Sequence, residues 1–312
     1  MTTTLLLSDI PRDSVVVGVD GSDGSDRALD WAADEAARQQ RTLTVVHTAS
    51  PPTPWLAGGY GAVLMDPVAA DNAILALGRS HTAAARERAA ARQPQLDIVE
   101  VADVLDPRLG LVVAGRHAHT LVVGSRGRGP LLSLVLGSVS VAVTRQASCP
   151  VVVVRPGEVA GSSVLVLVDG TAASLPVLEH AVRAASETGR SLHVTHLLWT
   201  AFDIDHQLFA EGERLLSEVT AGLGERYPDV EVTTELAHFV SPEQVIEAAA
   251  DAALVVVGHH PTSRLHQVLY RSVSTGVLEH ADTPVVVVPT APDTEQADGE
   301  PSHELADQLV TR

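Results

Sequence analysis

Lysine is absent from this sequence, so its 21 basic residues are all arginines. This absence excludes three classes of protein that depend on a lysine: Walker A phosphate-loop proteins, pyridoxal phosphate enzymes and Schiff-base aldolases. The single cysteine, Cys149, excludes an intrachain disulfide and a four-thiolate metal site. Aromatic residues are only 3% of the chain, whereas hydrophobic residues are 45%. Val, Ala and Leu dominate, as expected for buried parallel strands covered by alanine-rich helices.

Acidic residues outnumber basic ones by 39 to 21, which gives a formal net charge of −18. Binding to nucleic acid requires a basic face, so we expect no nucleic-acid partner. The longest apolar stretch, residues 131–143, is shorter than the roughly 20 residues that span a membrane. The first residues lack a basic region before their apolar patch, so we expect no signal peptide. We therefore predict a cytoplasmic protein with no membrane partner.

The chain repeats itself, from Val15 to Arg155 and again from Val164 to Pro289. Each half opens with an apolar strand that ends in Val-Asp-Gly, and each closes with a proline followed by four valines. The valine runs lack polar alternation, which predicts strands buried on both faces. Between these ends, apolar strands alternate with amphipathic stretches. This alternation is typical of a parallel sheet with helices on both faces.

The boundaries of several elements follow from local signals. The sequence predicts α-helices over Arg27–Gln40 and Leu175–Thr188, and third strands over Leu96–Val101 and Val230–Leu236. A later helix in each half begins at a capping residue followed by proline, Asp106-Pro107 and Ser241-Pro242.

We therefore predict an α/β protein of two tandem doubly wound domains, each a five-stranded parallel sheet in the order 3-2-1-4-5. The first domain is expected over residues 1–157 and the second over 158–290. Residues 291–312 are acidic and poor in large apolar side chains, which predicts a disordered tail.

A glycine-rich segment follows the fourth strand of the first half, at the edge where open α/β sheets bind ligands. Gly124, Gly127 and Gly129 permit backbone conformations in which successive amides converge on an anion. A second set of donors lies at the predicted start of the last helix, in Gly137, Ser138, Val139 and Ser140. Their free N–H groups, the helix dipole and the two serine hydroxyls favour bound phosphate.

Asp20 ends the first strand and should lie near this glycine-rich segment, since neighbouring parallel strands end at one edge. The alternative is that the glycines only allow a tight turn. We favour the functional interpretation because two independent sets of donors and a carboxylate are predicted to converge there.

These residues resemble the universal stress protein family, in particular its tandem-domain members, over almost the whole chain to about Thr290. The ATP-binding pattern of that family is Gly, two residues, Gly, nine residues, Gly, then Ser or Thr. Gly124, Gly127, Gly137 and Ser138 match it without a gap. The opening VGVDGSDGSDRALDWA, the SRGRG loop and the closing CPVVVVR also resemble the family.

The resemblance implies that the first domain, with its intact motif, binds ATP, with or without Mg²⁺. The triphosphate would lie across Gly127 and the turn formed by Gly137, Ser138, Val139 and Ser140, with Asp20 near the adenosine. The adenine would rest against the ends of the first two strands. The full set of binding residues implied is Gly18, Asp20, Gly124, Ser125, Arg126, Gly127, Arg128, Gly137, Ser138, Val139 and Ser140.

Arg126 and Arg128 have two open interpretations: they close over the phosphates as guanidinium forks, or they lie solvated and serve a partner surface. The resemblance further implies a nucleotide-dependent regulator in stress response or growth arrest. It also implies a homodimer or an intrachain pseudo-dimer that covers the valine edge strands.

The second half departs from the pattern at two of three glycines. Gly258 is retained, but Pro261 and Arg271 stand at the second and third positions. Proline lacks an N–H donor, and arginine adopts glycine conformations only at a cost. We predict a degenerate site, although Ser272 and Ser274 remain; the alternative is that Arg271 itself binds a different anion.

Other reactive residues do not form a recognisable site. The histidine pairs lack a three-ligand metal spacing, so we predict no metal ligands. Cys149 precedes Pro150 at a buried strand, which favours a packed thiol over a nucleophile. No residue can be assigned from the sequence as a catalytic base. The alternatives to a regulator remain a slow ATPase or nucleotide-dependent transferase, and a non-binding scaffold with a vestigial loop.

Overall fold

A computed structural model describes most of the chain. It covers residues 6–50, 67–127, 136–157, 161–168, 172–197, 206–237, 242–259 and 276–290. The chain forms two compact units, Met1–Pro156 and Gly157–Arg312. The predicted tail, residues 291–312, lies outside the described residues.

The first unit is a parallel sheet of five strands in the order β3-β2-β1-β4-β5, alternating with four helices in the described residues. Its elements in chain order are β1 (Val15–Gly18), α1 (Asp23–Arg38), β2 (Leu43–Thr48), α2 (Pro67–Arg92), β3 (Ile98–Asp103), α3 (Pro107–Ala114), β4 (Thr120–Gly124), α4 (Ser138–Gln146) and β5 (Val151–Val154).

The second unit repeats this order, as β8-β7-β6-β9-β10, and its strands are again parallel. Its described elements are β6 (Ser163–Val168), α5 (Leu175–Thr188), β7 (Ser191–Leu197), α6 (His206–Arg226), β8 (Val232–Ala237), α7 (Pro242–Ala249), β9 (Ala252–His259) and β10 (Val285–Pro289). The predicted α/β class, with parallel strands and helices in each of two tandem domains, is confirmed.

Helices cover both faces of the first sheet, as two neighbouring residues of β2 show. A β-carbon on Gly78 of α2 would lie 3.0 Å from the ring of His47, and one on Gly110 of α3 would lie 2.6 Å from Oγ1 of Thr48. Successive residues of a strand point to opposite faces, so α2 and α3 lie on opposite sides of the sheet. Helix α1 packs against α2, and α3 packs against α4.

The core consists of aliphatic strands and the small residues of the helices. The four valines of β5, residues 151–154, are all buried, as the lack of polar alternation predicted. In α1, the buried positions Leu29, Ala32, Ala33 and Ala36 recur at the spacing of one helix face. Alanines on this face let the helix backbone approach the sheet closely.

Local hydrogen bonds explain where the predicted boundaries were right and where they were wrong. Helix α5 lies where it was predicted, but α1 begins at Asp23 instead of Arg27, because the Ser22 side chain caps it. Strands β3 and β8 begin two residues later than predicted. Turns precede them, in which Leu96 N–H donates to Gln93 and Val230 N–H donates to Tyr227.

The only thiol of the chain is buried at the start of β5. Cys149 is 5% exposed, and a β-carbon on Gly115 would lie 3.3 Å from its Sγ. Burial raises the pKa of the Cys149 thiol from 9.0 to about 12. The thiol is therefore protonated at neutral pH, which supports the prediction of a packed residue over a nucleophile.

We expect Cys149 to resist alkylation in the folded protein. A pKa of about 12 instead of 9.0 lowers the thiolate fraction at pH 8 roughly a thousandfold, and the thiolate is the reactive form. Iodoacetamide labelling followed by mass spectrometry should be slow in buffer and fast in urea. Equal labelling rates in the two conditions would contradict this burial.

Candidate functional site

The loop after β1 is ordered by the carboxylate of Asp20. Its Oδ1 accepts hydrogen bonds from the N–H of Ser22, at 3.0 Å, and from the Ser22 hydroxyl, at 2.6 Å. Oγ of Ser22 in turn accepts from the N–H of Ser25, at 3.2 Å, and so caps α1. Two residues beyond β1, the Asp20 side chain thus fixes the path of the chain into the first helix.

The end of β4 lies directly on the first turn of α1. A β-carbon on Gly124 would lie 2.6 Å from the carbonyl oxygen of Gly24 and 3.2 Å from the nitrogen of Ser25. A β-carbon on Gly24 would in turn collide with the carbonyl oxygen of Arg126. Only glycine permits so close an approach of two backbones.

Gly127 lies beside the Asp20 side chain. A β-carbon at this position would collide with Oδ2 of Asp20. The loop after β4 therefore meets the loop after β1, as the parallel pairing of β1 with β4 predicts.

Helix α4 begins against the same loop. The N–H of Gly137 donates to the carbonyl oxygen of Ser125 and the hydroxyl of Ser140 donates to that of Gly124, each at 2.8 Å. The N–H of Ser125 donates to the carbonyl oxygen of Val154, at 2.9 Å. These bonds fix the start of α4 to the ends of β4 and β5.

The first turn of α4 has no side-chain cap. Its N-cap residue is Gly137, whereas Ser22 caps α1 and Asp106 caps α3 through hydrogen bonds to backbone N–H groups. The N–H groups of Ser138, Val139 and Ser140 have no acceptor within the described part of the chain. Such a set of unpaired amides, with the helix dipole behind it, favours an anion.

The chain matches one family model twice, and the two matches cover most of its length. The model of the universal stress protein family matches residues 11–155 and 162–289. The chain belongs to the universal stress protein family. This assignment confirms the resemblance seen in the sequence, including its tandem arrangement.

Two mycobacterial relatives and one solved structure illustrate the likeness. The chain is 34% identical over 289 residues to a universal stress protein of Mycolicibacterium smegmatis, which covers 88% of this chain and 96% of that one. It is 33% identical over 294 residues to one of Mycobacterium tuberculosis, with the same coverage. A universal stress protein structure from Archaeoglobus fulgidus has a TM-score of 0.70 at 18% identity. The match covers 88% of this chain and 98% of the archaeal one. At this identity it supports a shared fold only.

The structure brings together most of the sequence-predicted site residues of this universal stress protein domain. Asp20, Gly124, Ser125, Arg126 and Gly127 meet the start of α4 at one edge of the sheet. Arg126 and Gly127 are exposed, and so is Ser138 of α4.

Gly18 ends β1 at this edge, but it faces α3: a β-carbon there would approach Cδ1 of Leu111 to 2.8 Å, so the glycine allows this packing. Arg128 falls outside the described residues, as does Gly129.

Some expected donors are already engaged. The Ser140 hydroxyl, which the sequence predicts as a donor to the ligand, donates to the carbonyl oxygen of Gly124 in this structure. The amide of Gly137 is likewise bonded to Ser125. The free amides of the first turn of α4 are therefore those of residues 138–140. The donors available to a phosphate are fewer than the sequence predicted, because the Gly137 amide and the Ser140 hydroxyl are engaged.

Sequence reasoning missed Ser22, which connects Asp20 to α1. The signal was present: a serine two residues after the aspartate, followed by acidic residues at 23 and 26, is typical of a helix start. The amphipathic pattern alone had placed the helix start at Arg27.

The histidine pairs considered as metal ligands form no three-ligand cluster among the described residues. His193 pairs with Thr233 through Nδ1 and with Glu235 through Nε2, at 2.9 and 3.1 Å, on neighbouring strands. The described residues hold no group of three or more metal-ligating side chains, and no described helix has the length and apolarity to cross a membrane. Pro261 and Arg271 lie outside the described residues, as do Asp169, Ser272 and Ser274.

We expect Gly124→Ala to destabilise the first domain by about 1–3 kcal/mol, because the new methyl group would press on the backbone of Gly24. Hydrogen exchange measured on peptides from each domain shows which domain has lost stability. Gly224→Ala in α6 is the control: its β-carbon would meet nothing within 4 Å, so we expect a gain of roughly 0.5–1 kcal/mol. A Gly124→Ala domain as stable as the wild type would show that the close approach is not required.

Proposed function

We propose that the first domain of this universal stress protein binds ATP and that the chain acts as a nucleotide-dependent regulator in stress response or growth arrest. The triphosphate would lie at the first turn of α4 and the loop after β4. The single observation that carries this proposal is the uncapped start of α4, with three unpaired amides beside the loop that holds Gly127 and Asp20.

The geometry at the start of α4 is better explained by a bound anion than by glycines that only allow a tight turn. In α1 and α3 a side-chain cap accepts a hydrogen bond from one amide of the first turn, that of Ser25 or Arg108, whereas α4 has no such cap and begins at the exposed Ser138. The hydrogen bonds of Gly137 and Ser140 to the end of β4 hold these amides in place, so binding a phosphate would not require the helix to reorganise. No lysine is needed for such a site.

The carboxylate of Asp20 constrains where each part of the nucleotide lies. A carboxylate repels phosphate unless a cation lies between them, whereas it accepts hydrogen bonds from ribose hydroxyls or an exocyclic amine. The family resemblance implies an adenosine near Asp20, and this chemistry supports that position. The described residues offer no cage of three metal ligands, so a Mg²⁺ would be held chiefly by the phosphates.

The family and the chemistry at this edge support a regulatory role. Hydrolysis requires a group that orients water and a charge that stabilises the transferred phosphoryl group. Asp20, the carboxylate placed beside Gly127, has Oδ1 bound to Ser22. We therefore propose that the first domain binds ATP without hydrolysing it rapidly. We also propose one nucleotide per chain, because Pro261 and Arg271 replace two of the three motif glycines in the second half.

We expect Ser138→Pro to weaken ATP binding about ten- to hundredfold in isothermal titration, because it removes one amide that would donate to phosphate. The fold should tolerate this change. Proline is favoured at the first position of a helix, and the preceding Gly137 is already extended, with φ −72° and ψ 154°.

Ser138→Ala is the matched control, since it removes the hydroxyl and keeps the amide. Its affinity for ATP should stay within a few-fold of the wild type. Equal binding by the Ser138→Pro and wild-type proteins would refute the proposed phosphate position, and a titration with two equivalent sites would refute one nucleotide per chain.

A further inference from the structure

The turn after β1 brings Ser22 back onto the carboxylate of Asp20. Gly21, between them, has a φ of 73°, in the left-handed region that glycine adopts without strain. This turn lets Ser22 donate twice to Oδ1 of Asp20, from its N–H at 3.0 Å and from its hydroxyl at 2.6 Å. Hydrogen bonds to a charged acceptor are shorter and stronger than neutral ones. One oxygen of the carboxylate is therefore held firmly by a single neighbouring residue.

The Ser22 hydroxyl also connects this carboxylate to α1. Its Oγ accepts a hydrogen bond from the N–H of Ser25, at 3.2 Å, in the first turn of the helix. The same hydroxyl thus accepts from a helix amide and donates to Asp20, which fixes its orientation on both sides. A functional group that is supported by a regular element keeps its position more precisely than one on a loop. Ser22 gives Asp20 that support.

The restraint on one carboxylate oxygen also sets the position of the other. With Oδ1 held by Ser22, Oδ2 of Asp20 lies on the side of the loop after β4, where a β-carbon on Gly127 would collide with it. The same loop carries Ser125, whose carbonyl oxygen accepts from the N–H of Gly137 at the start of α4. The side of the carboxylate that Ser22 does not hold therefore lies within the proposed nucleotide site.

We propose that Ser22 is a positioning residue of this site: its hydroxyl orients the Asp20 carboxylate towards the ligand and is required for full affinity for ATP. The proposal rests on the nucleotide binding proposed above. A side chain that is already oriented loses less conformational freedom when the ligand binds, so its preorganisation raises the affinity. Ser22 acts through Asp20 and needs no contact with the nucleotide.

The decisive experiment is a double-mutant cycle on Ser22 and Asp20, measured by isothermal titration with ATP. We expect Ser22→Ala to lower the affinity about tenfold, the effect of one lost hydrogen bond to a charged group. Asp20→Ala should lower it at least as much, because it removes the carboxylate itself. In the Asp20→Ala protein, Ser22→Ala should change the affinity by less than about twofold, since no carboxylate remains to be oriented.

Two other replacements of Ser22 separate its hydroxyl from its role as a helix cap. Ser22→Gly removes the same hydroxyl, but glycine is a better N-cap than alanine. It should lose the same ATP affinity as Ser22→Ala, with a smaller loss of melting temperature than the roughly 2–4 °C expected for the alanine variant. Ser22→Thr keeps both the cap and the donor, so it should bind ATP within about threefold of the wild type.

Ser25→Ala is the matched control in the same turn. It removes the hydroxyl that donates to the carbonyl oxygen of Ser22, at 2.9 Å, and keeps the amide that Ser22 caps. The melting temperature should fall by a similar amount, about 2–4 °C. The affinity for ATP should stay within about twofold of the wild type, because both hydrogen bonds to Asp20 remain.

The possible results separate this proposal from nucleotide binding itself. If the wild type binds ATP and Ser22→Ala binds it equally well, or loses the same factor with and without Asp20, the role of Ser22 is refuted while nucleotide binding stands. The same holds if Asp20→Ala binds ATP as well as the wild type. A loss of affinity in Ser25→Ala as large as that in Ser22→Ala would also refute the role of Ser22, since affinity would then follow the stability of the turn. If the wild type does not bind ATP, both proposals fail.

Discussion

The contact between the end of β4 and the first turn of α1 is the constraint on which the candidate site depends. Gly124 and Gly24 each lack the side chain that would separate these backbones. Because they touch, the loop after β4 is held against α1, and Gly127 comes beside Asp20. The start of α4 is then fixed to the same loop through Ser125 and Gly124. Three elements distant in sequence thus share one edge of the sheet.

Much of this arrangement could be predicted from the sequence because it follows from local pattern and topology. The repeat, the valine runs and the alternation of strands and helices were sufficient for the doubly wound fold of each domain. The spacing of Gly124, Gly127 and Gly137 predicted that a glycine loop and a helix start would belong to one site. Parallel strands end at one edge, so the position of Asp20 near that loop followed as well.

The features of the site that the sequence did not predict depend mainly on tertiary contacts, which no local pattern encodes. Whether Ser140 donates to a ligand or to the carbonyl of Gly124 depends on how α4 approaches β4. Similarly, nothing in the sequence distinguishes the buried hydroxyl of Thr44, which donates to Ser14, from that of Thr48, which has no partner among the described residues. The difference lies in the neighbours that the fold supplies. The cap at Ser22 is an exception, because the serine two residues after Asp20 was a local signal that the amphipathic pattern did not take into account.

The burial of Cys149 has a consequence for the redox chemistry open to this chain. Direct sensing of peroxide through sulfur requires an accessible thiolate, which is oxidised to a sulfenic acid and then resolved by a second thiol. Here the single sulfhydryl is enclosed and protonated, and the chain has no other cysteine to resolve it. The Cys149 thiol is therefore poorly suited to direct oxidation by peroxide while the domain is folded.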